Sequence, residues 1–69
     1  MNVNAELSSN MWKILVAPGD EVTQGQELAI LESMKMEIPV ESPCGGKIVS
    51  VHIAEGDAVN EGQLLFVIE

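Results

Sequence analysis

Residues 17–32, APGDEVTQGQELAILE, and residues 54–69, AEGDAVNEGQLLFVIE, are two copies of one pattern, separated by 37 positions. Eight of the sixteen aligned positions are identical, and they include two glycines, an aspartate and a glutamine in each copy. The same offset aligns residues 3–32 with residues 40–69 without a gap. A repeat that covers nearly all of a 69-residue chain predicts a single domain, residues 1–69, built from two similar halves.

Two glycines in each copy stand where turns are expected. Gly19 and Gly56 are third in four-residue turns, where type II geometry requires a positive φ that glycine adopts without strain. Gly25 and Gly62 come shortly before the apolar run that ends each copy. Each half is therefore predicted to contain two turns followed by a buried strand.

The residues before the first turn of each copy alternate with the two-residue period of a half-buried strand. One face of this strand is apolar in both copies, which predicts that it faces the core. His52 falls on the opposite face and is expected to point into solvent. The predicted core face consists of Trp12, Ile14 and Val16 in the first copy and Val49, Val51 and Ile53 in the second.

No window of eleven residues keeps the apolar spacing of a helix, because glycine, proline or β-branched residues interrupt every candidate. The predicted fold class is therefore all-β, a small flattened β-barrel or sandwich. Its two halves are related by an approximate twofold axis. Each half alone is too thin to fold, and interleaving the halves buries both apolar faces.

Composition excludes several classes of function. Eleven acidic residues against three lysines give a net charge of −8, which repels nucleic acid and anionic membranes. The single Cys44 and single His52 cannot supply the ligands of a zinc site, and no internal disulfide is possible. No signal peptide and no apolar stretch of membrane-spanning length is present. We therefore expect a cytoplasmic, metal-free domain.

Residues 33–39, SMKMEIP, have no counterpart in the repeat, because they connect one half to the other. The pattern predicts a hairpin with a loop of about three residues and Lys35 at its centre. Met34 and Met36 flank this lysine at a position from which neither reaches the core, unless they fold back over the hairpin. A lysine at a loop tip is usually only a solvated charge. Whether Lys35 has a function must therefore be judged from the residues around it.

The stretch Glu32–Glu37, ESMKME, closely resembles the Glu-Ala-Met-Lys-Met signature of biotin carboxyl carrier domains, with Ser33 where alanine is common. The resemblance extends to the Gly-Asp and Gly-Gln turns of each half. It also extends to residues 42–48, SPCGGKI, which are similar to the family's Ser-Pro-x-x-Gly-x-Ile segment. The family's fold, a barrel-sandwich hybrid, agrees with the one predicted from the repeat.

This resemblance implies that a biotin protein ligase attaches biotin to the Lys35 amine as an amide. Glu32, Ser33, Met34 and Met36 would then be recognised by the ligase or later partners, while Gly19, Gly25, Gly56 and Gly62 serve the turns. A biotin carboxylase and a carboxyltransferase would exchange a carboxyl group through the biotin. The chain would be a non-catalytic carrier component of a biotin-dependent carboxylase.

Two alternatives stay open at this point. Lipoyl domains resemble the same two-halved fold and modify a lysine at the same hairpin, typically within Asp-Lys-Ala, so lipoate or dual modification is possible. An unmodified interaction module is the alternative from another class, similar to the barrel-like hairpin domains of membrane-adaptor proteins. Such modules sit between long helical arms, and this chain has no helical flank.

Overall fold

A computed structural model of residues 1–69 shows eight β-strands and no helix. None of its elements is a helix of the length and apolarity that crossing a membrane requires. The strands are β1 (Asn2–Asn4), β2 (Ser9–Ile14), β3 (Glu21–Val22), β4 (Glu27–Ser33), β5 (Met36–Glu41), β6 (Gly46–Val51), β7 (Ala58–Val59) and β8 (Leu64–Ile68).

The strands form two four-stranded sheets in which every neighbouring pair is antiparallel. One sheet has the order β1-β8-β6-β3 and the other the order β5-β4-β2-β7. The all-β prediction is confirmed, and the two sheets form a flattened sandwich, not a closed barrel.

The strand pairings of one sheet recur in the other with the 37-residue offset of the sequence repeat. Val3 of β1 lies opposite Phe66 of β8, and Val40 of β5 lies opposite Ala29 of β4. The short pairs β2–β7 and β6–β3 obey the same rule. An approximate twofold axis therefore exchanges the two sheets, which is the symmetry expected of the predicted fold class.

The core lies between the two sheets and contains 13 buried apolar residues. Burying one leucine, isoleucine, phenylalanine or methionine side chain contributes about 1.5–3 kcal/mol, so both sheets are needed to gather enough apolar area. The largest fully buried side chains come from both sheets: Phe66, Met11, Leu28, Leu31, Ile48, Leu65, Ile68 and Val59.

The predicted core face is wrong at its first position in each half. Met11 and Ile48 are only 1% exposed, whereas Trp12 and Val49 are 41% and 50% exposed. The reason is a β-bulge in β2, where Trp12 and Lys13 together lie opposite Ile30. The extra residue shifts the alternation by one, so Met11 points inward where the two-residue period places Trp12.

The second half has its bulge 37 residues later, between Ile48 and Ser50. Beyond both bulges the predicted faces hold, because Ile14, Val16, Val51 and Ile53 pack in or against the core. His52 is exposed as predicted, and its Nε2 lies 2.7 Å from Ser50 Oγ. Trp12 lies outside the core, with the Lys13 ammonium 4.9 Å from its ring centroid.

The four turns that have glycine at their third position have the same geometry and the same side-chain hydrogen bond. Gly19 and Gly56 have φ values of 96° and 90°, the positive values that the sequence predicts, and Gly25 and Gly62 have 85° and 82°. In each turn a side-chain oxygen of the fourth residue accepts a hydrogen bond from the backbone N–H of the first residue. The acceptors are Asp20, Gln26, Asp57 and Gln63. This explains why the aspartate and the glutamine recur in both copies.

Replacing Gly19 or Gly56 by alanine is expected to lower the free energy of unfolding by about 1–2 kcal/mol, because an alanine there must keep a positive φ. No atom lies within 4 Å of the added Cβ at either position, so backbone strain alone accounts for the loss. Chemical denaturation measures it. Equal stability of both variants and the parent would contradict the turn geometry.

Gly46→Ala is expected to destabilise through steric overlap, at a cost of about 1–3 kcal/mol. An added Cβ would collide with the Glu69 backbone oxygen and come within 2.8 Å of Ile68 Cγ2. The neighbouring Gly45→Ala is the matched control, because its nearest contact is an ordinary 3.7 Å to the Val22 oxygen. The melting temperature should fall for the Gly46 variant only; equal melting temperatures for the two variants would refute the predicted overlap.

Candidate functional site

The hairpin that joins the two halves has a loop of only two residues. β4 ends at Ser33 and β5 begins at Met36, with these two residues paired across the strands. The loop is thus Met34 and Lys35, shorter than the predicted three or so residues, and most of the 33–39 connection belongs to strands. The loop is this short because the β4–β5 ladder continues to the last pair of residues before the turn, Ser33 and Met36.

Met34 and Lys35 both have positive φ, 51° and 66°, and they are the only residues other than glycine that do. Two consecutive residues with positive φ define a type I′ turn, whose twist matches that of the flanking strands. This turn prefers Asn-Gly, and each side chain forced into the left-handed region costs roughly 1–2 kcal/mol. The hairpin tip therefore holds a strained backbone that the surrounding ladder keeps in place.

The two methionines at the tip face solvent. Met34 is 92% exposed and Met36 is 64% exposed, so neither folds back over the hairpin. Methionine is usually buried in folded proteins, and its flexible thioether suits adaptable binding surfaces. The tip therefore presents an exposed amine, that of Lys35, between two apolar side chains that no part of the domain covers.

Like charges face each other directly below the tip. Glu32 of β4 lies opposite Glu37 of β5, and both side chains are exposed. Such a cross-strand pair destabilises a sheet by roughly 0.2–1 kcal/mol. The Glu32–Glu37 pair and the strained turn both lower the stability of the hairpin end. Residue choices of this kind are typical of surfaces that contact a partner.

Ser33 fixes the base of the hairpin to the first half of the chain. Its hydroxyl donates a hydrogen bond of 3.5 Å to the backbone oxygen of Ser8, which precedes β2. The sequence gives no signal for this contact, because the partners are 25 residues apart and outside the repeat's identical positions. The structure thus brings Glu32, Ser33, Met34 and Met36 together around Lys35. The predicted turn glycines lie in the other four turns.

The other two lysines occupy different surroundings. Lys13 lies on β2 and Lys47 lies on β6, and each of these is an interior strand of its sheet. A partner's active site can close around a two-residue tip from several sides, whereas a sheet face offers access from one side only. Of the three lysines, only Lys35 lies in the two-residue loop of a hairpin.

Comparison with known proteins places this geometry in a family. The biotin/lipoyl attachment model, described as "Biotin-requiring enzyme", matches residues 3–68. A "Biotin/lipoyl attachment protein" of Bacillus subtilis is 49% identical over 65 residues, which are 94% of this chain and 89% of that protein. A "Biotinylated protein TB7.3 homolog" of Mycobacterium leprae is 39% identical over 67 residues, covering 97% of this chain and 94% of the relative.

Among solved structures, the urea carboxylase of Kluyveromyces lactis superimposes with a TM-score of 0.93 at 33% identity. The match covers all of this chain and 6% of the carboxylase, so the similarity is to one small part of that protein. The sequence match, the two-sheet sandwich and the lysine-bearing hairpin agree with one another. The chain belongs to the biotin/lipoyl attachment family.

Proposed function

We propose that this chain is a biotin carboxyl carrier, with biotin joined through an amide to the Lys35 side chain. The observation that carries the proposal is the tip itself: an exposed lysine in a strained two-residue turn, between two exposed methionines. It lies at the one place where the 37-residue repeat is interrupted.

The tip has the chemistry that the attachment requires. An amide bond to the biotin carboxylate needs a primary amine that a ligase's active site can surround, and Lys35 offers one. Met34 and Met36 would contact the ligase through their apolar side chains, and Glu32 and Glu37 would give it an acidic surface to recognise. Selection among the three lysines then follows from presentation at the tip, without any special reactivity of the amine.

Biotin, when attached, accepts and donates a carboxyl group at its ureido ring. The lysine side chain and the valeryl chain of biotin together form an arm of roughly 15 Å, estimated from covalent bond lengths. We propose that this arm serves a biotin carboxylase and a carboxyltransferase in the cytoplasm, with the folded domain as a non-catalytic carrier. The proposal is supported by the similarity to part of a urea carboxylase and to a protein named as biotinylated.

Lipoate is the cofactor that competes with biotin for this lysine, since the family includes both attachments. The two methionines favour biotin, because lipoyl domains typically carry Asp-Lys-Ala at the tip. Intact-mass measurement of the protein from its own host distinguishes the two, because biotinyl and lipoyl groups add different masses. The mass of an unmodified chain would contradict both attachments and would favour an interaction module.

Lys35→Arg is expected to abolish biotin incorporation by a biotin protein ligase supplied with biotin and ATP. Arginine keeps the positive charge but has no primary amine for amide formation. The melting temperature should stay at the parent's value, because the replaced side chain is exposed. Lys13→Arg is the matched control and should be biotinylated like the parent. Persistent incorporation in the Lys35 variant would refute the assignment.

Met34→Asn separates two effects of Met34, the backbone strain of the turn and the apolar contact with the ligase. Asparagine tolerates positive φ, so the free energy of unfolding is expected to rise by up to about 1 kcal/mol. Loss of the apolar contact is expected to lower kcat/KM for biotinylation by about tenfold, which corresponds to about 1.4 kcal/mol.

Met34→Leu is the control, because leucine keeps both the apolar surface and the strain. It should match the parent in stability and in biotinylation. Unchanged biotinylation of Met34→Asn would contradict the contact with the ligase. Unchanged stability of the same variant would contradict the strained turn.

A further inference from the structure

An open groove of about 530 Å³ lies along one side of the sandwich, beside the edge strands of the two sheets. Its walls are β1 with the segment that follows it and β5 with the segment that follows it. None of the tip residues lines this space, although three of its lining residues, Val3, Ala5 and Leu31, belong to the edge of the core. Its volume is within the range of sites that bind small molecules. Its apolar lining consists of Val3, Ala5, Leu7, Leu31, Ile38 and Val40.

The polar lining of the groove is made of amides, carboxylates and one hydroxyl. Asn2, Asn4 and Gln24 carry the amides, Glu6 and Glu41 the carboxylates and Ser42 the hydroxyl, and no lysine, arginine or histidine lines it. Such a site accommodates a neutral ring that donates N–H groups to carboxylates and accepts from an amide. It disfavours an anion. Attached biotin fits this description, because its carboxylate is consumed in the amide bond and its ureido group has two N–H donors and one carbonyl.

The groove begins within reach of Lys35. Ile38 is three residues along β5 from Lys35, which is roughly 10 Å at the rise of a strand. Leu7 precedes Ser8, whose backbone oxygen binds the Ser33 hydroxyl at the hairpin base. An arm of roughly 15 Å that folds back along β5 therefore carries its ring past Ile38 and into the groove.

We propose that the groove between β1 and β5 is a resting site for the neutral biotin ring attached to Lys35. This inference rests on the proposed biotinylation. Because the ring is tethered, its effective concentration at the groove is on the order of millimolar, so even a weak site is substantially occupied. The arm then alternates between the groove of its own domain and the active sites of partner enzymes.

An added peptide strand is a poorer occupant of the same place. Pro39 lies in the middle of β5 and has no N–H to donate to a neighbouring strand. A peptide paired along this edge would therefore lack one of its ladder hydrogen bonds.

The test compares ¹H–¹⁵N spectra of the unmodified and biotinylated full chain, with intact mass establishing that biotin is attached. Amide signals of Leu7, Ile38 and Val40 are expected to shift, in addition to those of the tip. Biotin ring protons should also show nuclear Overhauser contacts to the Ile38 methyl groups. The Trp12 indole N–H, on a side chain that does not line the groove, should not shift.

Leu7→Ser removes a groove wall without removing a core residue, because Leu7 is outside the buried cluster and outside the side chains packed against it. In biotinylated Leu7→Ser the shifts at Ile38 and Val40 should fall by at least half. Leu15→Ser is the matched control, since Leu15 is exposed and does not line the groove. It should leave those shifts unchanged.

The outcomes separate the two proposals. Shifts confined to the tip of a chain with attached biotin, or shifts that reach the Trp12 indole instead of the groove, overturn the resting site and leave the carrier proposal intact. A mass that shows no biotin after treatment with ligase overturns the carrier proposal itself.

Discussion

The mutual burial of two sheet faces is the constraint on which the rest of this structure depends. Each sheet has four strands of two to seven residues, and neither sheet has a helix to cover it. The only apolar surface available to each is the inner face of the other. The twofold repeat makes the two faces similar in shape, and one core of 13 side chains then serves both halves.

The turns and bulges follow from that constraint. Strands this short must reverse direction within a few residues, and the positive φ of the turn glycines allows it. The bulges at Trp12 and Val49 rotate the strands so that Met11 and Ile48 reach the core from positions that a regular strand would direct outward. Stability is concentrated in the scaffold, and this leaves the connection between the halves free to carry residues chosen for another purpose.

That connection has properties opposite to those of the scaffold. Its backbone is strained at Met34 and Lys35, its apolar side chains are exposed, and glutamates of like charge face each other below the turn. Each feature reduces local stability, and the β4–β5 ladder is long enough to tolerate all of them. The proposed attachment of biotin to Lys35 requires this division between a rigid support and an accessible tip.

The amino-acid sequence by itself determined the repeat, the all-β class, the turn glycines and the singular position of Lys35. These are local patterns or self-comparisons, which depend only on the order of residues. Only the tertiary structure decided which face of β2 and β6 is buried, because a bulge exists only relative to a partner strand. The Ser33–Ser8 contact, the two-residue length of the loop and the groove between β1 and β5 likewise depend on distant segments that meet when the sheets pack.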